Sequence, residues 1–475
     1  MTLNDTFRYL SAGLPDDILR KKLYGDFDGA IRLIDRRLSD PDLPLPLRCS
    51  LTAQREICLR LPGNYPHTRQ DALAILRKHI PDFSETEFDE YVEAGKIGWI
   101  YIHGQMHFFD RFFQTLCKAS PAFALRAGVV LPGAESAGTN SLDSALLNES
   151  MRTMKEKGKS SRRIRIRASL KLKDSVFSKG MSVRAHLPLP AECEQQSQIR
   201  IEKVFPENGK ISPGHAPQRT ICWEETMMEN HEFYVEYSYI HTAVYHNTEK
   251  PELLPIIKEP SPEMLMEFTK EEAPHILFTP YLKNLAGSLT EGISEPLEKA
   301  RRIYDFITLN MKYTFMPDYF CLENIAESCA RNFTGDCGVF ALLFLTLCRC
   351  AGIPACWQSG LTAEPDFCGA HDWVRFYAAP YGWLYADPSY GIAAVRAQNE
   401  ERRRFYFGSL DACRMVANNT FQAPFTVDKD FWRADPYDNQ VGEIETKQRG
   451  LLYEEFERSK VTLLCEELTD KEENR

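Results

Sequence analysis

Thr334-Gly-Asp-Cys-Gly-Val-Phe-Ala-Leu-Leu-Phe-Leu-Thr-Leu-Cys348 is the stretch on which the reading of this chain turns. Its apolar run from Val339 predicts a deeply buried helix beginning near Cys337, with Thr334 or Asp336 able to cap the first turn. A cysteine in the first helical turn sits at the positive end of the helix dipole, among N–H groups that no carbonyl of the helix reaches. Both features favour the thiolate. Gly335 and Gly338 leave room for an acyl group beside the sulfur, and the Cys337 backbone N–H is one donor for the oxyanion that attack on a carbonyl creates.

A thiolate nucleophile needs a base, and the base needs an orienting group. Of 11 histidines, His371 alone lies C-terminal to Cys337. It stands in Gly369-Ala-His-Asp-Trp-Val-Arg-Phe-Tyr377, whose aromatic and β-branched residues read as a strand. Gly382-Trp-Leu-Tyr-Ala-Asp387 reads as a second strand, with Ala379-Pro-Tyr-Gly382 as the turn. Such a hairpin can set Asp387 beside His371, and the helix N-terminus then brings Cys337 to the other ring nitrogen. Asp372 directly follows the histidine and faces the opposite side of the strand, so it is not expected to orient the ring. Tyr313, Tyr319, Trp357 and Gln358 are candidates for the second oxyanion donor. For Cys337 or His371 alone, an inert core residue is the better reading; the three residues in this order and context favour a Cys337–His371–Asp387 catalytic triad.

Gly335-Asp-Cys-Gly338, Ala351-Gly-Ile-Pro-Ala355, His371-Asp-Trp373 and Asp387-Pro-Ser389, taken in that order, resemble the core of the transglutaminase-like superfamily, over roughly Pro296 to Gly391. The resemblance implies a papain-like core in which the cysteine attacks an amide carbonyl, the histidine moves the proton and the aspartate orients the histidine. It implies a cysteine-dependent acyl-transfer enzyme acting on a peptide or protein amide, glutamine-type amides included, through a thioester. Hydrolysis, as in a protease or amidase, is expected over crosslinking. The preceding β region, with Val183-Arg-Ala-His-Leu-Pro-Leu-Pro190, is similar to the domain that precedes this core in many bacterial members. A reading of another class is a binding or scaffold protein on the same fold, its thiol incidental.

No Cys-x-x-Cys pair occurs, so the cluster Cys348, Cys350 and Cys356 reads as core thiols rather than a zinc site. That departs from the peptide N-glycanase branch of the superfamily. No calcium-loop signature is present either, and no cofactor is expected.

Outward from the core, the fold class expected is α+β. A transglutaminase-like catalytic domain at 251–400 is preceded by a helical N-terminal region at 1–130, a linker at 131–160 and a β-sandwich domain at 161–250; a β-rich C-terminal extension follows at 401–475. Lys250-Pro-Glu-Leu-Leu-Pro255 to Glu259-Pro-Ser-Pro262 breaks regular structure and reads as an interdomain connection. In the N-terminal region, Trp99, Tyr101, His103, His107, Phe108, Phe109, Phe112 and Phe113 cluster, and core packing outweighs a binding groove as their expected role.

A chain of 475 residues suggests about three domains. Its net charge of −10 disfavours nucleic acid and anionic membrane as partners. Arg163-Ile-Arg-Ile-Arg-Ala-Ser-Leu-Lys-Leu-Lys173 alternates basic and apolar residues, which is a strand with one solvated charged face rather than a nucleic-acid patch. The sequence shows no signal peptide and no membrane-length apolar run. With 14 scattered cysteines read as reduced core thiols, a cytoplasmic location is expected. Nothing in the residues speaks to oligomeric state.

Overall fold

The computed structural model describes residues 3–129, 141–250 and 261–469. The chain forms two compact units: Met1–Ala134, Glu271–Leu277 and Met311–Asp336 make the first, and Glu135–Lys270, Phe278–Asn310 and Cys337–Arg475 the second.

The first unit is mainly helical. Its helices start on side-chain caps: Asp26 accepts from the Gly29 N–H at 2.9 Å, Thr68 and Asp71 cap each other reciprocally, and Ser84 caps Glu85–Glu93. Apolar faces close on two cores, one around Ile18, Ala30, Ile34 and Leu51, the other around Leu76, Phe83, Phe88, Phe112 and Phe123. The aromatic cluster divides. Phe108, Phe109, Phe112 and Phe113 are buried, whereas Trp99 and Tyr101 lie exposed on the hairpin Trp99–Ile102/Gln105–Phe108.

The boundary expected at 130 does not hold for this unit, because a stretch placed in the catalytic domain packs with the helices instead. Arg60 and Arg111 stack on the rings of Phe320 and Phe315 at 3.7 and 3.5 Å, and the Asn64 side chain accepts the Asp318 N–H at 2.8 Å.

The second unit contains three sheets. The core sheet runs, neighbour to neighbour, through Phe407–Gly408, Gly382–Ala386, Phe367–Ala378, Ala355–Glu364 and Arg414–Asn418, all antiparallel. The helix Cys337–Cys350 covers one face, with Phe344 edge-on to Phe376 of the sheet at 5.7 Å; between its two end cysteines every residue is buried.

Two four-stranded sheets form the sandwich. One is ordered Glu443–Thr446, Met181–Pro188, Thr220–Met227, Lys210–Ile211, the other Phe456–Glu467, Lys159–Leu172, Phe233–Val244, Gln196–Phe205. Ile164, Ile166, Leu170, Val183, Trp223 and Val235 fill the space between them. On the outer face of Lys159–Leu172, Arg163, Arg165 and Arg167 meet Glu466, Glu236 and Glu232 across the strands, so the basic stripe is neutralised where it stands. The architecture is α+β.

Two expectations are corrected. The tail is not a separate extension: Arg414–Asn418 edges the core sheet, while Glu443–Thr446 and Phe456–Glu467 each edge a sandwich sheet. Met415, Ala417, Ile444 and Phe456 carry it into the common core. The linker expected at 131–160 contains the helix Ser141–Lys157, whose Leu147, Met151 and Met154 recur at helical spacing and pack with Trp373, Tyr390 and Tyr406. Polar residues such as Asn148, Glu149, Arg152 and Thr153 stand between them. Residues 131–140 of the linker and 251–260 of the proline-rich connection lie outside the described residues. Among the described residues no helix is long and apolar enough to cross a membrane.

Candidate active site

The hairpin forms with Val374 opposite Ala386, which leaves Asp387 just past the last paired residue. There Asp387 becomes the N-cap of Pro388–Arg396: its Oδ1 accepts the Tyr390 N–H at 2.9 Å. The other oxygen, Oδ2, lies 2.8 Å from His371 Nε2. A helix cap thus fixes the carboxylate and the carboxylate fixes the ring. An ionised carboxylate only accepts, so Nε2 carries the hydrogen and Nδ1 is the basic nitrogen of the neutral imidazole.

Asp387 is fully buried, and burial alone pushes its pKa up. The charges of His371 and Arg414, with the Tyr390 N–H, outweigh that and hold it below the ordinary carboxyl value. Arg414 Nη1 donates to Asp387 Oδ2 at 2.7 Å, while its Nη2 and Nε donate to Asp411 Oδ2 at 2.7 and 3.0 Å. The guanidinium has no exposed surface and is ringed by Tyr390, Trp373 and Tyr406 at 4.6, 5.2 and 5.8 Å. Sequence reasoning missed both Arg414 and Asp411, which lie beyond the matching motifs. The available signal was an arginine heading the otherwise apolar run Arg414-Met-Val-Ala.

Cys337 reaches the same strand from its other face. Its Sγ–H donates to Asp372 Oδ2 at 3.2 Å. The sequence reading took the histidine ring as the thiol's neighbour; the contact found here is to the residue beside that histidine. Asp372 pairs across the sheet with Ser359, and His371 with Gly360, so the two side chains leave on opposite faces. Gly360 is required there, since a Cβ would fall 1.9 Å from the Met415 carbonyl oxygen of the next strand.

Asp372 is held by the tail as well. Gln440 Nε2 donates to Asp372 Oδ1 at 2.5 Å and to the His371 carbonyl at 3.0 Å, gripping both neighbours at once. The Asp438 carboxyl hydrogen-bonds Asp372 and accepts from Ser359 Oγ at 2.5 Å; burial pushes its pKa up. Gln358, a candidate oxyanion donor, is engaged at both ends of its amide: Trp373 Nε1 donates to it at 2.6 Å and it donates to Asn419 Oδ1 at 2.9 Å. Trp357 packs on Phe421 at 5.4 Å, and Tyr313 and Tyr319 belong to the first unit.

Residues 283–388 match the family model described as the Transglutaminase-like superfamily, a span that takes in the helix, the hairpin and Asp387. This region is a transglutaminase-like core. A curated relative, "Uncharacterized protein YebA" of Bacillus subtilis (strain 168), is 25% identical over 130 residues, which are 23% of this chain and only 18% of that protein's length. Among solved structures, one described as "a Putative Cysteine Protease" from Cytophaga hutchinsonii aligns over 66% of this chain and 93% of its own, at 15% identity and a TM-score of 0.41. The periplasmic domain of TgpA from Pseudomonas aeruginosa aligns over 54% of this chain and 95% of its own, at 13% identity and a TM-score of 0.28.

Proposed function

We propose that the protein is a cysteine-dependent acyl-transfer enzyme that opens peptide or glutamine-type amides through a thioester, with water as the usual second nucleophile. The observation that supports this most directly is the buried His371–Asp387–Arg414 chain. It gives the imidazole a fixed tautomer and a carboxylate that stays ionised beside it. In this reading Cys337 is the nucleophile, His371 accepts its proton at Nδ1 and returns it to the leaving amine, and Asp387 orients the ring. Water attacking the thioester then gives hydrolysis, and an amine gives transamidation. The thiol is directed at rest to Asp372, on the face of the strand opposite His371, so this reading requires a shift that brings Cys337 Sγ to the imidazole before attack.

That resting bond also favours a second reading, a ligand-binding protein whose thiol stays protonated against a carboxylate. Iodoacetamide labelling of the native protein across pH, with Cys337→Ala and His371→Ala as controls, separates the two. The enzyme reading expects rapid labelling of Cys337 near pH 6, slowed on loss of His371. Labelling that rises only near an ordinary thiol pKa and ignores His371→Ala would transfer the reading to the binding protein. With labelling in hand, release of ammonia or of a new amino terminus from glutamine-containing peptides, run with and without hydroxylamine, distinguishes water from an amine as acceptor.

A further inference from the structure

None of the 14 cysteines is in a disulfide, and two outside the candidate site lie face to face: Cys413 Sγ and Cys465 Sγ are 4.0 Å apart. Cys413 immediately precedes the Arg414–Asn418 edge of the core sheet, and Cys465 lies in Phe456–Glu467 at the edge of the sandwich. A disulfide places its sulfurs about 2.05 Å apart, so closure asks for roughly 2 Å of approach.

The two thiols are unequal. Cys413 is 1% exposed, whereas Cys465 is half-buried on the edge strand. Arg162 Nη1 lies 3.9 Å from Cys465 Sγ, and the Glu467 carboxylate, 3.7 Å from Nη2, shares that cation from its far side. The hydrogen bond from Cys413, joined by the Arg162 charge, outweighs burial and holds the Cys465 thiol below its ordinary value. The same bond and complete burial push Cys413 well up. An accessible thiol with thiolate character beside a buried thiol that cannot react first is the division found between a peroxide-reacting and a resolving cysteine.

We propose that Cys465 and Cys413 form a dithiol that hydroperoxides oxidise reversibly to a disulfide. The Cys465 thiolate attacks one peroxide oxygen; the O–O bond breaks, and the departing oxygen takes a proton to leave as water or an alcohol. The Cys413 sulfur then displaces the hydroxyl of the resulting sulfenic acid, forming the S–S bond and releasing water. Two thiols lose two electrons and two protons, and the peroxide is reduced by two electrons. The pair adjoins the ionic chain behind His371: the Cys413 N–H donates to Asp411 Oδ1 at 3.0 Å, and Asp411 shares Arg414 with Asp387. The proposal requires no chemistry at Cys337.

The test uses the full chain as Cys337→Ala, exposed to a small excess of hydrogen peroxide, alkylated, digested without reduction and mapped by mass spectrometry. The expected product is a Cys413–Cys465 linked peptide that dithiothreitol abolishes. In Cys413→Ser, Cys465 should instead advance to sulfinic acid. Arg162→Leu should slow the loss of the Cys465 thiol at pH 7 by roughly tenfold, as its thiolate fraction falls. Two results overturn the proposal: both thiols remaining free while other cysteines oxidise, or Cys465 reaching sulfinic acid in the parent chain with no linked peptide.

Discussion

His371 and Asp372 are neighbours on one strand, and the two faces they point to treat buried carboxyls in opposite ways. On the His371 face, Asp387 and Asp411 accept directly from Arg414; burial pushes both acids up, and His371 with Arg414 at Asp387, and Arg414 at Asp411, pull them below the ordinary value of 3.8. On the Asp372 face, Asp435 and Asp438 also lie near an arginine. But Arg433 directs Nη1 to Gln218 Oε1 and the Ala423 carbonyl, and Nη2 to the Asp438 carbonyl. There burial prevails, Asp438 adds its repulsion at Asp435, and both acids are pushed up. Where a guanidinium donates directly to the carboxylate oxygens the charged form is favoured, whereas the neutral Ser359 hydroxyl on Asp438 does not offset burial. On one face neighbouring cations favour the charged carboxylates, and on the other burial opposes the charge. The Cys337 thiol bonds on the second face.

The largest effect should follow from breaking the first cluster. Arg414→Leu leaves Asp387 and Asp411 buried without their shared donor, and removing one member of a buried ion network costs about 3–5 kcal/mol. Urea unfolding at pH 7 should register that loss, together with loss of the His371 effect on Cys337 labelling. A loss near 1 kcal/mol would mean that the aromatic ring around the guanidinium, rather than the ion pairs, carries the contact.

A smaller effect with opposite signs at the two clusters should appear with pH. A carboxyl whose folded pKa is depressed contributes stability above its unfolded value, and the contribution is lost as pH falls through the folded value; Asp387 and Asp411 behave so, below about pH 3.8. A carboxyl whose folded pKa is raised contributes fully below its unfolded value, and the contribution is lost as pH rises through the folded value; Asp438 behaves so. Asp438→Asn mimics the protonated acid and should flatten the fall in unfolding free energy above pH 4, leaving the acid limb unchanged. A variant that altered only the acid limb would show the two clusters to be one.

The helix headed by Cys337, the hairpin and the His371–Asp387 pairing could be read from residues because each rests on local rules: apolar run, turn chemistry and alternation. What stayed hidden is long-range. Arg414 and Gln440 reach the site from the tail, by way of an edge strand and an irregular segment whose composition announces neither. Strand alternation places Asp372 on the face opposite His371, but nothing local shows what covers that face. The helix carrying Cys337 packs there, as Phe344 against Phe376 two turns on makes plain. The stripe of Leu147, Met151 and Met154 was lost among polar neighbours for a related reason: three core residues in a helix are too few to dominate composition.

The smallest expected effect bears most closely on how the two faces cooperate. A carboxylate that accepts the Cys337 S–H stabilises the neutral thiol and repels the thiolate, so Asp372 works against the activation proposed for His371. Asp372→Asn removes the charge and offers an amide N–H to the sulfur, and both changes favour the thiolate. Alkylation of Cys337 at pH 7 should then quicken by roughly threefold to tenfold, the equivalent of half to one pKa unit. The increase should survive in the His371→Ala background, because the two residues act from separate faces. Slower alkylation in Asp372→Asn would reverse the assignment and make Asp372 the group that draws the thiol proton away. The Asp372–Asp438 pair would then be the working base of the site, and His371 with its ionic chain a structural pin for the strand.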